Sequence, residues 1–105
     1  MLNTNPNLAS FRVKLKDFTF KRWYHDSDVF IVLYLAHVTW ADLYEIKEHT
    51  GYGVVTYRRR LPALVKYGYV RIARHAQPKK GISNKYCITN KGRDFIERFF
   101  KHLNS

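Results

Sequence analysis

Residues 50–70 read TGYGVVTYRRRLPALVKYGYV, and the fold follows from how that stretch is parsed. From residue 54 the spacing predicts a helix reaching about residue 67, with Gly68 as its stop. Tyr57, Leu61 and Leu64 recur at i, i+4 and i+7, so they share one face of a 3.6-residue repeat and mark its buried side. Pro62 inside the helix removes one backbone hydrogen bond and crowds the Arg58 carbonyl, so a bend or an early end is expected. At about 100° per residue from Tyr57, the residues Val55, Arg59, Pro62, Ala63 and Lys66 point away from that face. Thr56 and Arg58 lie on the flanks, and Arg60 falls nearer the core side.

Two helices are expected before it. Asp26 or Ser27 caps one whose body runs over 29–38, and its all-round apolar character makes it a central, buried helix. Thr39 restarts the chain, with Asp42 at the third helical position resembling a capping box that uses Asp. Leu43 and Ile46 give this second helix one apolar face, and Gly51 ends it in the left-handed conformation. Residues 1–10 are Asn-rich with Pro6 and read as a loose arm. In 11–24, Phe11, Val13 and Leu15 alternate like a strand, while Leu8, Phe11, Leu15 and Phe18 keep helical spacing. The absence of Gly and of a good hairpin turn favours helix.

After residue 68, two β-type segments over 69–74 and 85–89 flank HAQPKKGISN, where Pro78 and Gly81 punctuate a turn. Thr89 or Asn90 caps a last helix to about residue 103. The order is helix, helix, turn, helix, hairpin, helix, a mainly α chain with a small β-hairpin (α+β). An arm or extra helix occupies 1–26, and the main domain occupies 27–103.

With 105 residues there is one small core, and 46% apolar content excludes a disordered chain. A single cysteine, Cys87, excludes an internal disulfide and reads as strand packing. The longest apolar run, residues 29–36, is too short to span a membrane. The N-terminal residues carry no secretory pattern, so an intracellular, cytoplasmic protein without a membrane partner is expected. His25, His37, His49, His75 and His102 are scattered, and neither a Gly-rich phosphate loop nor a nucleophile elbow occurs. No enzyme activity, catalytic residue, cofactor or metal is therefore expected. Asp42, Glu45 and His49 can share a helix face, which reads as a solvated face rather than a metal site.

The formal net charge is +11, and all of it lies in residues 49–93. That segment holds Arg58, Arg59, Arg60, Lys66, Arg71, Arg74, Lys79, Lys80, Lys85, Lys91 and Arg93 and no Asp or Glu; the rest is formally neutral. Charge of one sign gathered this way points to a polyanion. A helix about 12 Å across fits the DNA major groove, its first turns meeting base edges. Gly53, Val55, Thr56, Arg58, Arg59, Arg60 and Lys66 form the candidate recognition set. Arg59 suits bidentate contact to guanine and Val55 a thymine methyl, whereas Arg60 suits a phosphate or an acidic neighbour. The alternative for the arginines is a solvated face, weakened because no carboxylate sits four residues away to pair them. In the hairpin, Arg74, Lys79, Lys80 and Lys85 surround a turn suited to phosphates or a minor groove. The start of the helix after Thr39 offers N–H groups to a phosphate. Lys91 and Arg93 oppose the dipole of the last helix, a placement that an anion nearby would relieve. Most aromatic residues, among them Phe30, Tyr34, Tyr52, Tyr57 and Tyr86, fall at core spacing rather than as stacking platforms for unpaired bases.

The quoted stretch resembles the helix-turn-helix core of winged-helix DNA-binding proteins. The later YCITNKGRDFIERF is similar to the strand-Thr-x-x-Gly-Arg-helix ending of MarR-like and PadR-like regulators. The resemblance covers about 27–103. It implies a winged helix-turn-helix that binds double-stranded DNA, most simply a small transcriptional repressor with no small-molecule ligand evident. Phe18, Phe20, Trp23, Phe95, Phe99, Phe100 and Leu103 offer more apolar surface than one small core needs, which suggests a homodimer through the terminal helices. Its two recognition helices would lie about 34 Å apart. Two alternatives stand beside this: a mobile-element or viral protein for partition, excision or replication control, and an adaptor whose basic face meets an acidic protein.

Overall fold

In the computed structural model, residues 5–21 and 24–104 are described, the side chains of residues 5–8, 20 and 21 excepted. The first helix, α1, spans Asn5–Lys21. The arm expected over 1–10 is thus helical from Asn5, because Pro6 sits in the first turn, where its missing N–H has no intrahelical partner to lose. Leu15 and Phe18 on its inner face are buried, and Phe11 packs beside them.

Helix α2, Asp26–Leu35, is the central one, with Val29, Ile31, Val32 and Leu35 fully buried. Its cap is His25 rather than Asp26 or Ser27: the His25 backbone N–H donates to Asp28 Oδ2 at 2.9 Å. It ends at Leu35, three residues earlier than expected, with Ala36 as its C-cap. Ala41 then pairs with Tyr86 through two backbone hydrogen bonds of 2.9 and 2.8 Å, adding a one-residue third strand to the hairpin. Helix α3, Leu43–Thr50, has Asp42 as its cap and not as its third residue. Glu45 completes the reciprocal box, at 2.9 and 3.0 Å. Gly51 closes α3 at φ +84°.

Helix α4 covers Val54–Lys66 and absorbs Pro62 without ending early. Strands β1 (Val70–Arg74) and β2 (Lys85–Ile88) are antiparallel, pairing Val70 with Ile88 and Ile72 with Tyr86, with an irregularity before Arg74. Their connection holds a short 3-10 turn, Pro78–Lys80, closed by Gly81 at φ +68°. Helix α5, Asn90–Leu103, starts at Thr89, whose hydroxyl accepts from the Gly92 N–H at 3.0 Å. A side chain at Gly92 would meet the Tyr69 carbonyl oxygen at 2.2 Å, so only glycine lets α5 sit this close to the start of the hairpin.

The core gathers the α2 residues, Tyr57, Leu61 and Leu64 of α4, Val70 and Ile88 of the sheet, and an aromatic cluster. In that cluster Phe18 meets Phe95 and Phe99 edge-on, with ring centroids 5.6 and 5.2 Å apart. This corrects part of the expected dimer surface. Phe18, Phe95 and Phe99 are buried within this one chain, because α1 folds back along α5 and covers that apolar surface. Phe100 stays 44% exposed and Val13 68% exposed, with Leu103 half-buried. The Phe20 side chain and Trp23 lie outside the described residues. Cys87 is a buried free thiol, and among the described residues no helix is long and apolar enough to cross a membrane.

Candidate nucleic-acid interface

The turn between α3 and α4 is pinned by one phenol. Thr50 Oγ1 gives its proton to the Ile46 carbonyl at 2.6 Å, so the Tyr57 hydroxyl donates to Thr50 Oγ1 and accepts the Tyr52 N–H at 2.8 Å. The chain before α4 is thereby tied to a side chain on the buried face of α4 itself. Gly53 caps α4 with no side-chain bond, and no acidic residue stands in its first turn. On the outward face Val55 is 55% exposed, and Arg58, Arg59, Pro62 and Lys66 are exposed. Thr56 and Ala63 are half-buried.

Arg60, included in the recognition set, is turned the other way. Its Nε and Nη2 donate to Asp28 Oδ1 and Oδ2, both at 2.8 Å, and the Asp28 side chain is fully buried. The guanidinium is therefore committed to an acidic neighbour. Hydrogen bonding to that carboxylate pushes its pKa above the usual arginine range despite the opposing cost of burial.

Lys85, included in the hairpin set, is also internally paired. Its Nζ lies 2.8 Å from Glu45 Oε1 and 3.5 Å from Asp42 Oδ2. The Lys85 bond lowers the Glu45 carboxyl below its ordinary range, and the Glu45 bond raises the Lys85 ammonium. The start of α3 is thus occupied by two carboxylates with their own cation, which corrects its assignment to a phosphate. Beside it His49 stacks on the Tyr34 ring with centroids 4.7 Å apart, and its Nδ1 lies 2.9 Å from the Glu45 carbonyl. No group of three or more metal-ligating side chains occurs among the described residues.

Arg74, Lys79 and Lys80 remain exposed around the connection, which Asn84 braces by accepting the Ala76 N–H at 2.7 Å. Lys91 donates to the Tyr67 carbonyl at 2.6 Å and lies over the Tyr69 ring, so it caps the end of α4 while standing at the start of α5. Of the eleven basic residues in 49–93, Arg60, Lys85 and Lys91 have such internal partners. Arg58, Arg59, Lys66, Arg71, Arg74, Lys79, Lys80 and Arg93 are exposed and carry no ion pair among the described residues.

No protein-family model matches the chain, and no curated protein matches it significantly. Solved structures do. A MarR-family transcriptional regulator from Silicibacter pomeroyi superimposes with a TM-score of 0.78 at 16% identity, over 95% of this chain and 66% of that one. Wild-type MarR from E. coli in its apo form gives 0.72 at 13% identity, over 98% and 78% of the two chains. Its oxidized form gives 0.69 at 12%, over 99% and 76%. The chain therefore has the winged-helix fold of these MarR-family structures, spanning just under two thirds of the length of the first.

Proposed function

We propose that this protein binds double-stranded DNA sequence-specifically, with α4 in the major groove and the β1–β2 connection as a wing along the phosphates. In this reading it acts as a homodimeric transcriptional repressor, without catalysis or cofactor. The observation that carries the proposal is the exposed face of α4. It holds Arg58, Arg59 and Lys66 beside Val55 and Thr56, with no carboxylate to pair them. Unpaired like charges on one helix repel, so such a face is most stable against a polyanion. The wing adds Arg74, Lys79 and Lys80 as a second, sequence-independent footprint.

The dimer surface in this reading is the outer side of α1 and α5, where Val13 and Phe100 are exposed and Leu103 is half-buried. Competition among random duplex, single-stranded DNA and RNA tests the function, and preference for duplex is expected. Stronger binding to single strands or RNA would overturn the reading. Sedimentation tests the assembly: a dimer is expected that Phe100→Glu dissociates. A wild-type monomer both with and without duplex removes the homodimer.

A further inference from the structure

We propose that Asp28, a buried residue outside the recognition helix, is a positioning residue for base readout: it fixes the roll of α4 about its own axis through Arg60. The inference rests on the duplex-binding reading above and assigns a role within that same site.

Helix α4 meets the body of the protein along one stripe, Tyr57, Leu61 and Leu64. Apolar contact has little directionality, and the polar anchor within the stripe itself, the Tyr57 hydroxyl on Thr50 Oγ1 and the Tyr52 N–H, holds the helix at one point near its start, so the helix resists sliding better than it resists rolling. Arg60 lies to one side of that stripe, about 60° around the helix from Tyr57. It ends in two hydrogen bonds of equal length, both 2.8 Å, to the two oxygens of one carboxylate. A planar fork on a planar carboxylate fixes direction as well as distance.

The carboxylate is itself immobile. Asp28 is fully buried in the first turn of α2, and its Oδ2 also accepts the His25 N–H at 2.9 Å. The opposite flank of α4 has only Val54 and Val65, both half-buried, which set no angle by hydrogen bonding. Side chains on a helix reach about 6 Å from its axis, so a roll of about 15° moves their tips by about 1.5 Å. That displacement exceeds the whole range of good hydrogen-bond lengths. Arg59 is on the far side of the helix from the stripe, and its contact with a base edge is therefore set by the Asp28–Arg60 fork. The phosphate contacts of the flexible lysines in the wing are not.

The test uses the full chain in three forms: wild type, Arg60→Lys, and the double variant Asp28→Leu/Arg60→Met. The double variant removes both charges together and leaves neither one buried alone. Arg60→Lys keeps the charge and loses the fork. Circular dichroism and thermal melts establish folding, and each protein is presented with a random duplex pool and with the best duplex selected by wild type. Loss of the fork is expected to reduce the ratio of selected to random affinity by about tenfold, the discrimination of one bidentate base contact. Affinity for random duplex should stay within about threefold, with the same salt dependence. If either folded variant keeps the wild-type ratio, Asp28 is only structural and the proposal is overturned. If wild type itself shows no duplex binding or no preference, the underlying reading fails and takes this one with it.

Discussion

Arg59 stands exposed on the outward face of α4, while one residue further on Arg60 is folded back onto Asp28. The 100° step of the helix separates them, and that much is readable from residues 54–67 alone. What the spacing does not contain is Asp28 itself, 32 residues away in sequence, because a contact between two helices depends on how they cross. The pairing of Lys85 is hidden from the sequence for the same reason. Its partners Asp42 and Glu45 are the cap and first turn of α3, and only the hairpin's return past Ala41 brings them together. Arg59→Ala is expected to flatten sequence preference by about 1–3 kcal/mol, seen as similar affinities for selected and random duplexes. Tyr57→Phe deletes both hydrogen bonds of the Tyr57 hydroxyl and leaves the Tyr52 N–H without its acceptor. A loss of about 1–2 kcal/mol in urea unfolding is expected, with fold and helix content retained.

The hairpin is where charge and backbone geometry work at the level of an element. Lys79 and Lys80 lie in the 3-10 turn before Gly81, so they project from a connection that is held by the Gln77–Ile82 bridge and the Asn84–Ala76 bond. Replacing both with Ala should weaken every duplex alike and reduce the salt slope by about two for each copy bound, checked by anisotropy across a salt series. At the wing root the Glu45–Lys85 pair works in a bounded pH window. Glu45 is lowered from an ordinary value of 4.5, so its contribution is present above that pH and lost as pH falls through the lowered value. Lys85 is raised from 10.5, so its share is present below that pH and lost as pH rises through the raised value. The Glu45 side chain is 47% accessible, and screening keeps the pair below about 1 kcal/mol. Glu45→Gln should therefore lower stability slightly at pH 7, by an amount that shrinks as pH falls below 4.5, measured by urea unfolding.

Element order, the Gly51 and Gly68 stops and the Thr89 cap were legible because each depends on neighbours within a few residues. Helix α1 was only half legible. Its stripe of Phe11, Leu15 and Phe18 reads as helical, yet whether that stripe faces a second copy or the same chain is decided by α5, some 80 residues later.

At the scale of the molecule, the charge of +11 resolves into a formally neutral scaffold and one basic segment. Three of the eleven cations in that segment hold the fold together: Arg60 ties α4 to α2, Lys85 ties the wing to α3, and Lys91 closes the end of α4. Eight are left exposed, divided between α4, the hairpin and the start of α5. The central claim is that these exposed cations meet the phosphates of duplex DNA. The most direct test is the affinity for a random duplex measured between 50 and 200 mM salt. With about six phosphate contacts for each copy of the chain, log K should fall linearly with log salt at a slope of roughly −5 per copy bound, about twice that for a bound dimer. Absence of binding at the lowest salt, or an affinity that does not change with salt, would contradict the account.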